Sequence, residues 1–263
     1  MNKVIKYKLN YLLSNKLILI FSAILFLLLN FNALSSGVLT SVGSAINSEA
    51  KYQLLFNNYL VVSVVYGLIM AIFLGSSIVG PDAQTGNIQV ILTSYHSRTK
   101  YFIGTFLAVL IYSTVIQILL FINIYLLMLI FKVPYLWSDI LVGFTQNYLN
   151  MLVAMSVTGL ASIFIKGHGS AFVGLLAYTY YNVYEYNALP FINSSLPFNI
   201  AQYRNILGNF FPISYFMAPS YTEPSTIAYF KFTPIIPNIY IYQILYIALI
   251  LVLSCVFFNR KEI

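Results

Sequence analysis

The sequence predicts an all-α polytopic membrane protein that crosses the bilayer six times. Of its 263 residues, 60% are hydrophobic and only 7% are charged, whereas a soluble domain carries roughly 25% charged residues. The formal charge is +7, but the basic residues lie in short gaps between apolar runs. That distribution is typical of membrane topology and not of a nucleic-acid-binding face, which needs clustered exposed Lys and Arg.

Residues 1–16 are expected to form an interfacial helix. One face carries apolar residues at helical spacing, namely Ile5, Leu9, Leu12 and Leu13. The opposite face carries Lys3, Lys6, Asn10 and Ser14. Such a helix lies on the membrane with its lysines toward anionic headgroups. Two alternatives remain: plain positively charged flanking sequence, or a cleaved signal peptide whose apolar core is Leu17–Leu29.

Six apolar stretches have the length of a membrane-spanning helix, which is about 20 residues. They are Leu17–Leu34, Tyr59–Val79, Tyr101–Phe131, Leu136–Ile165, Gly169–Leu189 and Ile236–Phe258. The third and fourth exceed this length and should tilt or protrude. With no linker or repeat, the chain reads as one membrane domain over residues 1–263.

The charges of the loops predict the orientation. When loops are assigned alternately, one side receives nine of the basic residues with two acids, and the other receives four of each. The positive-inside rule therefore places both termini in the cytoplasm of a multi-pass protein of the plasma membrane.

Two stripes of small residues recur at intervals of four. They are Ser63, Gly67, Ala71 and Gly75 in the second span, and Ala154, Thr158 and Ser162 in the fourth. Small residues let helix backbones approach closely in lipid. Packing within the chain is the favoured interpretation, and a seam between two subunits is the alternative.

Polar side chains inside the spans mark a candidate translocation path. Gln146, Asn147 and Asn150 cluster toward the outer part of the fourth span, and Gln117 and Asn123 lie in the third. Buried amides need partners, so structural bonds between helices are equally compatible with this pattern.

The fifth span ends in a group of tyrosines around an acid. Tyr178, Tyr181 and Glu185 share one helical face near the outer leaflet. The tyrosines fit an interfacial aromatic belt. A carboxylate at that depth is a functional candidate, and it could face a cationic or amphipathic cargo.

The outer segment, residues 190–235, differs from the spans in composition. Seven of the nine prolines fall between Pro190 and Pro237, and proline interrupts helices. Short broken helices, partly sunk in the outer leaflet, are expected there.

Signatures of catalysis are absent from the sequence. No lysine follows a glycine, so a phosphate-binding P-loop cannot form. The two histidines do not make a zinc-protease motif, and no Gly-x-Ser-x-Gly elbow occurs. We therefore expect neither catalytic residues nor a metal or other cofactor in this chain.

Residues 80–100 form the most specific stretch. Pro81 should end the second span, and a polar interval runs from Asp82 to Gly86. A short amphipathic helix is then predicted, with Ile88, Ile91, Leu92 and Tyr95 on its apolar face and Gln89, Thr93 and His96 on its polar face. On the cytoplasmic side, such a helix can transmit force from a docked soluble partner. A connector that lies on the membrane surface and has no partner is the alternative.

This stretch resembles the corresponding segment of type-2 ABC transporter permeases. The matching positions are Asp82, Gly86, Ile91-Leu92 and Ser97-Arg98. The chain departs from the family pattern at Asn87, Tyr95 and Thr105. The layout is also similar, with an N-terminal amphipathic helix, six spans, a broken outer segment and a basic C-terminal end.

The resemblance implies a transport subunit without ATPase activity. It would pair with a second copy or a related permease and bind two cytosolic ATPase subunits, which hold the ATP and Mg²⁺. The coupling residues would then be Asp82, Gln84, Gly86, Gln89, Thr93, His96 and Arg98. The cargo would be an amphipathic peptide, a drug or a lipid. A membrane immunity or sensor protein that binds a peptide or toxin without moving it is the alternative function.

Overall fold

The structure is a computed structural model of the 263-residue chain. It describes residues 2–35, 48–95, 97–133, 137–183, 206, 208–213, 215–216, 228–229 and 234–261. Helices dominate these ranges. They are α1 Asn2–Ser14, α2 Lys16–Ser35, α3 Ser48–Ser76, α4 Gly80–Gln84, α5 Asn87–Tyr95, α6 Arg98–Ile130, α7 Trp137–Phe164, α8 Gly169–Val183 and α9 Ile239–Arg260.

Polar side chains define where several helices begin. Asn238 accepts hydrogen bonds from the backbone N–H groups of Tyr240 and Ile241, each at 3.1 Å, and so starts α9 directly after Pro237. Ser97 plays the same part at the start of α6. Such caps satisfy backbone donors that the first turn of a helix leaves without partners.

Each predicted span coincides with a helix in the described residues. Four helical stretches are long and apolar enough to cross a membrane, namely Tyr66–Gln84, Arg98–Ile130, Ile140–Phe164 and Ile239–Arg260. A fifth is obtained if α1 and the first part of α2, which meet at a bend of 67°, count as one span. The length and apolar composition of these helices are compatible with a membrane protein. The count of six stays a prediction, because residues 184–189 of the fifth predicted span lie outside the described ranges.

Helices α3 and α7 form the centre of the bundle. Their residues are mostly buried, whereas much of α9 and one side of α6 carry exposed Ile, Leu and Val side chains. An apolar exterior around a close-packed interior is what a bilayer requires, since lipid tails cover the outward-facing side chains.

The predicted small-residue stripe packs inside the chain. A Cβ on Gly67 would contact Met151, and a Cβ on Gly75 would overlap Thr158, so this face of α3 lies directly against α7. Ala71 is fully buried between them. The favoured interpretation of the stripe is therefore confirmed at these glycines.

The amphipathic face of α1 differs from the prediction. The buried residues are Val4, Lys8 and Leu12, whereas Leu13 is 57% exposed. The helix is rotated about its axis because Lys8, a charged residue, takes a place in the interior. The predicted exposure of Lys3 and Lys6 is confirmed.

The outer segment contains a feature that the all-α prediction lacked. Two two-residue strands, β1 Tyr215–Phe216 and β2 Ala228–Tyr229, pair antiparallel with Tyr215 opposite Tyr229. Asn209 of this segment joins α9 through its side chain, which accepts a 2.8 Å hydrogen bond from Tyr242. Residues 190–205 lie outside the described ranges.

The contact between α3 and α7 gives a first test. A Cβ at Gly75 would lie 1.9 Å from Thr158 Oγ1 and 2.5 Å from the Met155 carbonyl oxygen, which cannot withdraw. We expect Gly75→Ala to cost about 1–3 kcal/mol through overpacking, visible as a lower thermal unfolding midpoint in detergent. Gly67→Ala is the matched control, because its nearest neighbour is the flexible Met151 thioether at 3.3 Å. Equal midpoints for the two variants would refute this account of the packing.

Candidate functional site

A buried carboxylate lies at the end of the bundle that the loop charges predict to be cytoplasmic. Asp82, on α4, is 2% exposed. It accepts hydrogen bonds from Lys8 Nζ at 2.9 Å, from the Tyr7 hydroxyl at 3.1 Å and from the Tyr101 hydroxyl. Three helices, α1, α4 and α6, therefore meet at one side chain. We call Tyr7, Lys8, Asp82 and Tyr101 the carboxylate hub.

The hub contains the one ion pair found within the described ranges. Burial lowers the pKa of Lys8, and the Asp82 carboxylate opposes that shift by favouring the ammonium form. Lys8 Nζ also lies 4.7 Å from the centre of the Tyr11 ring, where a cation is attracted to the aromatic face. A buried pair costs several kcal/mol of desolvation per ion, so its value lies in fixing one arrangement of the helices.

A close backbone contact joins the same region to the loop between α7 and α8. The Gly167 N–H donates to the Gly80 carbonyl at 2.7 Å, and a Cβ at Gly80 would lie 2.0 Å from the Gly167 carbonyl oxygen. Gly167 has a φ of +65°, which favours glycine. The Gln84 side chain packs over it. Only glycine at both positions permits this approach.

His168, the next residue after Gly167, adds a contact between this loop and α3. Its Nδ1 lies 3.1 Å from Ser76 Oγ at the end of α3. Partial burial, and then the nearby charge of Lys8, lower the pKa of His168. The ring forms a hydrogen bond between the end of α3 and the residue that precedes α8.

The start of α6 is bound to the end of α9. Arg98 Nη1 donates to the carbonyl oxygens of Asn259 and Lys261. The Thr99 and Asn259 side chains exchange hydrogen bonds of 3.1 and 2.8 Å. Arginine at a helix C-terminus satisfies carbonyls that the helix leaves without partners. Arg98 thus connects the region that follows α5 to the C-terminal helix.

The structure divides the predicted coupling residues into two groups. Gln89 and Thr93 on α5 are exposed, as the polar face of a short helix requires, and Ile88 on its apolar face is buried. Gln84 and Gly86, which precede that helix, are exposed as well. The side chain of Asp82 is buried against α1 and α6, and a coupling role for this residue stays a prediction. His96 lies outside the described ranges.

A network of amides occupies the outer half of the bundle. Gln146 Nε2 donates to Gln243 Oε1 at 3.0 Å. Gln243 Nε2 in turn donates to Asn150 Oδ1 at 2.9 Å and to the Pro212 carbonyl at 2.8 Å. Gln146 Oε1 is buried and has no hydrogen-bond partner among the described residues. The amides hold α7, α9 and the outer segment together, and they leave one acceptor available.

The remaining path residues are only partly described. Tyr178 and Tyr181 belong to α8, but their side chains lie outside the description, as does Glu185 altogether. Within the described ranges, no three His, Cys, Asp or Glu side chains come together in a way that could hold a metal ion.

Three residues of these sites were missed by sequence reasoning. Lys8 is one of the nine basic residues assigned to the predicted cytoplasmic side, where Lys3 and Lys6 supply the polar face of the helix. Tyr101 is the first residue of the third predicted span. Gln243 carries a usable signal, because it is the one amide in the interior of the sixth predicted span, whereas Asn238 lies near its start.

Comparison with known proteins adds no assignment. No protein-family model matches the chain, and no curated protein matches it at a significant level.

The ion pair of the hub can be tested by a double-mutant cycle. Lys8→Met or Asp82→Asn alone leaves a buried charge without its counter-ion, which should cost about 3–5 kcal/mol. The double variant removes both charges, so we expect it to recover most of the loss in thermal unfolding midpoint. Lys6→Met, an exposed lysine on the same helix, should change little. Additive losses in the double variant would show that the two charges do not interact.

The amide network predicts a second effect on stability. Gln243→Leu would leave Gln146 Nε2 and Asn150 Oδ1 buried without this partner, at about 1–3 kcal/mol for each group that finds no other. The control is Ser254→Ala on the same helix, because Ser254 bonds only to the carbonyl of Ile250 one turn earlier. Thermal unfolding in detergent should rank Gln243→Leu well below the control. Identical midpoints would contradict the structural role of the network.

Proposed function

We propose that this chain is the membrane-spanning permease subunit of an ATP-driven exporter in the plasma membrane, with both termini in the cytoplasm. It would couple to separate cytosolic ATPase subunits through α4 and α5. The observation that carries this proposal is the carboxylate hub, which ties α4, next to the exposed face of α5, to α1 and α6. The sequence resemblance at Asp82, Gly86 and Ser97-Arg98 points the same way.

The exposed surface of α5 suits a docked protein. Gln89 and Thr93 are exposed beside Val90, an apolar side chain that is 68% exposed. In a contact with a protein partner, Val90 would supply apolar surface, and Gln89 and Thr93 would belong to the polar rim. Ile88, on the other side of the helix, is buried and anchors α5 to the bundle.

A movement of α5 would be passed to the membrane-spanning helices through a few direct contacts. Gly86, at a φ of +74°, forms the turn between α4 and α5 and has no neighbour that would restrict it. From α4, Asp82 leads to α1 and α6, and Gly80 leads to the loop before α8. A partner that changes shape with nucleotide would then bias the spans between two states.

In this proposal the chain binds no cofactor and catalyses no reaction, because ATP and Mg²⁺ are held by the partner. The translocation path would run past Gln146 and Asn150, with Tyr178, Tyr181 and Glu185 toward the outer leaflet. A second permease copy would complete the path. The free acceptor of Gln146 supports a cargo with hydrogen-bond donors, such as an amphipathic peptide, a drug or a lipid.

Coupling is tested by purifying the tagged chain from its own cells and measuring ATP hydrolysis of the material that co-purifies. We expect Arg98→Glu to lower this activity at least tenfold, because it breaks the bonds to the carbonyls of Asn259 and Lys261. Gly86→Pro should do the same, since proline cannot adopt a positive φ. Arg260→Glu is the matched control, as an exposed arginine on the same side of the bundle.

A variant on the exposed surface separates docking from folding. Val90→Asp changes a side chain that is largely in solvent, so the unfolding midpoint should stay the same while the co-purified ATPase is lost. Normal ATP hydrolysis in Arg98→Glu, Gly86→Pro and Val90→Asp would refute the coupling role. A chain that never co-purifies an ATPase but retains a peptide or toxin would favour the immunity or sensor function.

A further inference from the structure

A cleft of about 320 Å³ opens on the cytoplasmic side between α4, α5 and the ends of α7 and α9. Its floor is apolar and consists of Val79, Ile163 and Phe258, all of which are buried. Polar side chains line the remainder, with Lys166 and Lys261 among them.

The two lysines give the cleft a positive charge. Lys261 Nζ donates to the carbonyl of Ile163 in the last turn of α7, which holds the ammonium group at the cleft. Burial, and then the charge of Lys166, lower the pKa of Lys261. No acid is among the described residues that line the cleft. The nearest described acid on this side, Asp82, is already paired with Lys8.

The position of the two lysines indicates that the cleft lies at the surface of the bilayer. Lys166 and Lys261 follow directly after the candidate spans Ile140–Phe164 and Ile239–Arg260. The ends of spanning helices lie at the depth of the lipid headgroups, where phosphate is the principal anion. Basic pockets between spanning helices are known to bind lipid phosphates.

We propose that this cleft binds the phosphate of an anionic lipid headgroup. Lys166 and Lys261 contact the phosphate oxygens, the amide of Gln84 donates to them, and the apolar floor receives the glycerol and first acyl carbons. A bound phosphate also relieves the repulsion between the two lysines. This inference depends on membrane embedding alone, so it stands or falls separately from coupling to an ATPase.

The test is lipid retention by the purified full-length chain. The chain is extracted from vesicles of equal phosphatidylglycerol and phosphatidylcholine, and bound lipid is measured by native mass spectrometry. We expect retention of phosphatidylglycerol, with its affinity about 25-fold lower in Lys166→Gln/Lys261→Gln, taking about fivefold for each lysine near the surface. Lys166→Arg/Lys261→Arg keeps the charges and should keep the lipid.

Lys100→Gln is the matched control, because Lys100 is exposed at the start of α6 and does not line the cleft. An equal loss of lipid in Lys100→Gln would overturn the proposal, since the attraction would then be general surface charge. Displacement of the lipid by free glycerol phosphate at similar affinity would reassign the cleft to a soluble anion. Unchanged lipid in the double glutamine variant, together with loss of a co-purified protein, would make it a protein-docking surface and equally overturn the proposal.

Discussion

The pairing of Lys8 with Asp82 is the constraint on which the predicted cytoplasmic end of the bundle depends. Each charge costs several kcal/mol to remove from water, so neither can be buried without the other. The 2.9 Å contact fixes the rotation of α1 about its own axis and the position of α4 against α6. Tyr7 and Tyr101 donate to the same carboxylate, and the side chain of Asp82 is buried, so it is closed to solvent and to a docked protein. The acid therefore holds the helices in place.

Three separate links converge on the short region from Gly80 to Arg98. The carboxylate hub reaches α1 and α6, the Gly80–Gly167 contact reaches α7 and α8, and Arg98 reaches the end of α9. A displacement of this region must therefore be shared by most of the bundle or break one of the links. In the outer half, the amides around Gln243 tie α7 to α9 and to the outer segment. The two halves of the bundle are therefore held by different chemistry.

The spacing of apolar and small residues along the sequence predicted well those features that depend on the surroundings of a whole helix. The apolar runs coincide with helices, the small-residue stripe faces α7, and Gln89 and Thr93 lie on the exposed side of α5. The misses concern single contacts between distant parts of the chain. Lys8 and Asp82 are 74 residues apart, and no local pattern distinguishes a lysine that pairs internally from one that meets headgroups. The β1–β2 pair was missed because two residues are too few to show an alternating pattern.

Burial of apolar surface specifies little about this fold, because lipid tails are as apolar as the helices that they surround. The arrangement must then rest on close contacts of glycine and on a few polar groups, and these are the features that the structure brings together. The same polar groups are the candidates for coupling and for the path. Under the proposed function, a substitution at Asp82 or Gln243 alters both stability and function, whereas substitutions at Val90 and Lys166, which are exposed and outside these networks, separate the two effects.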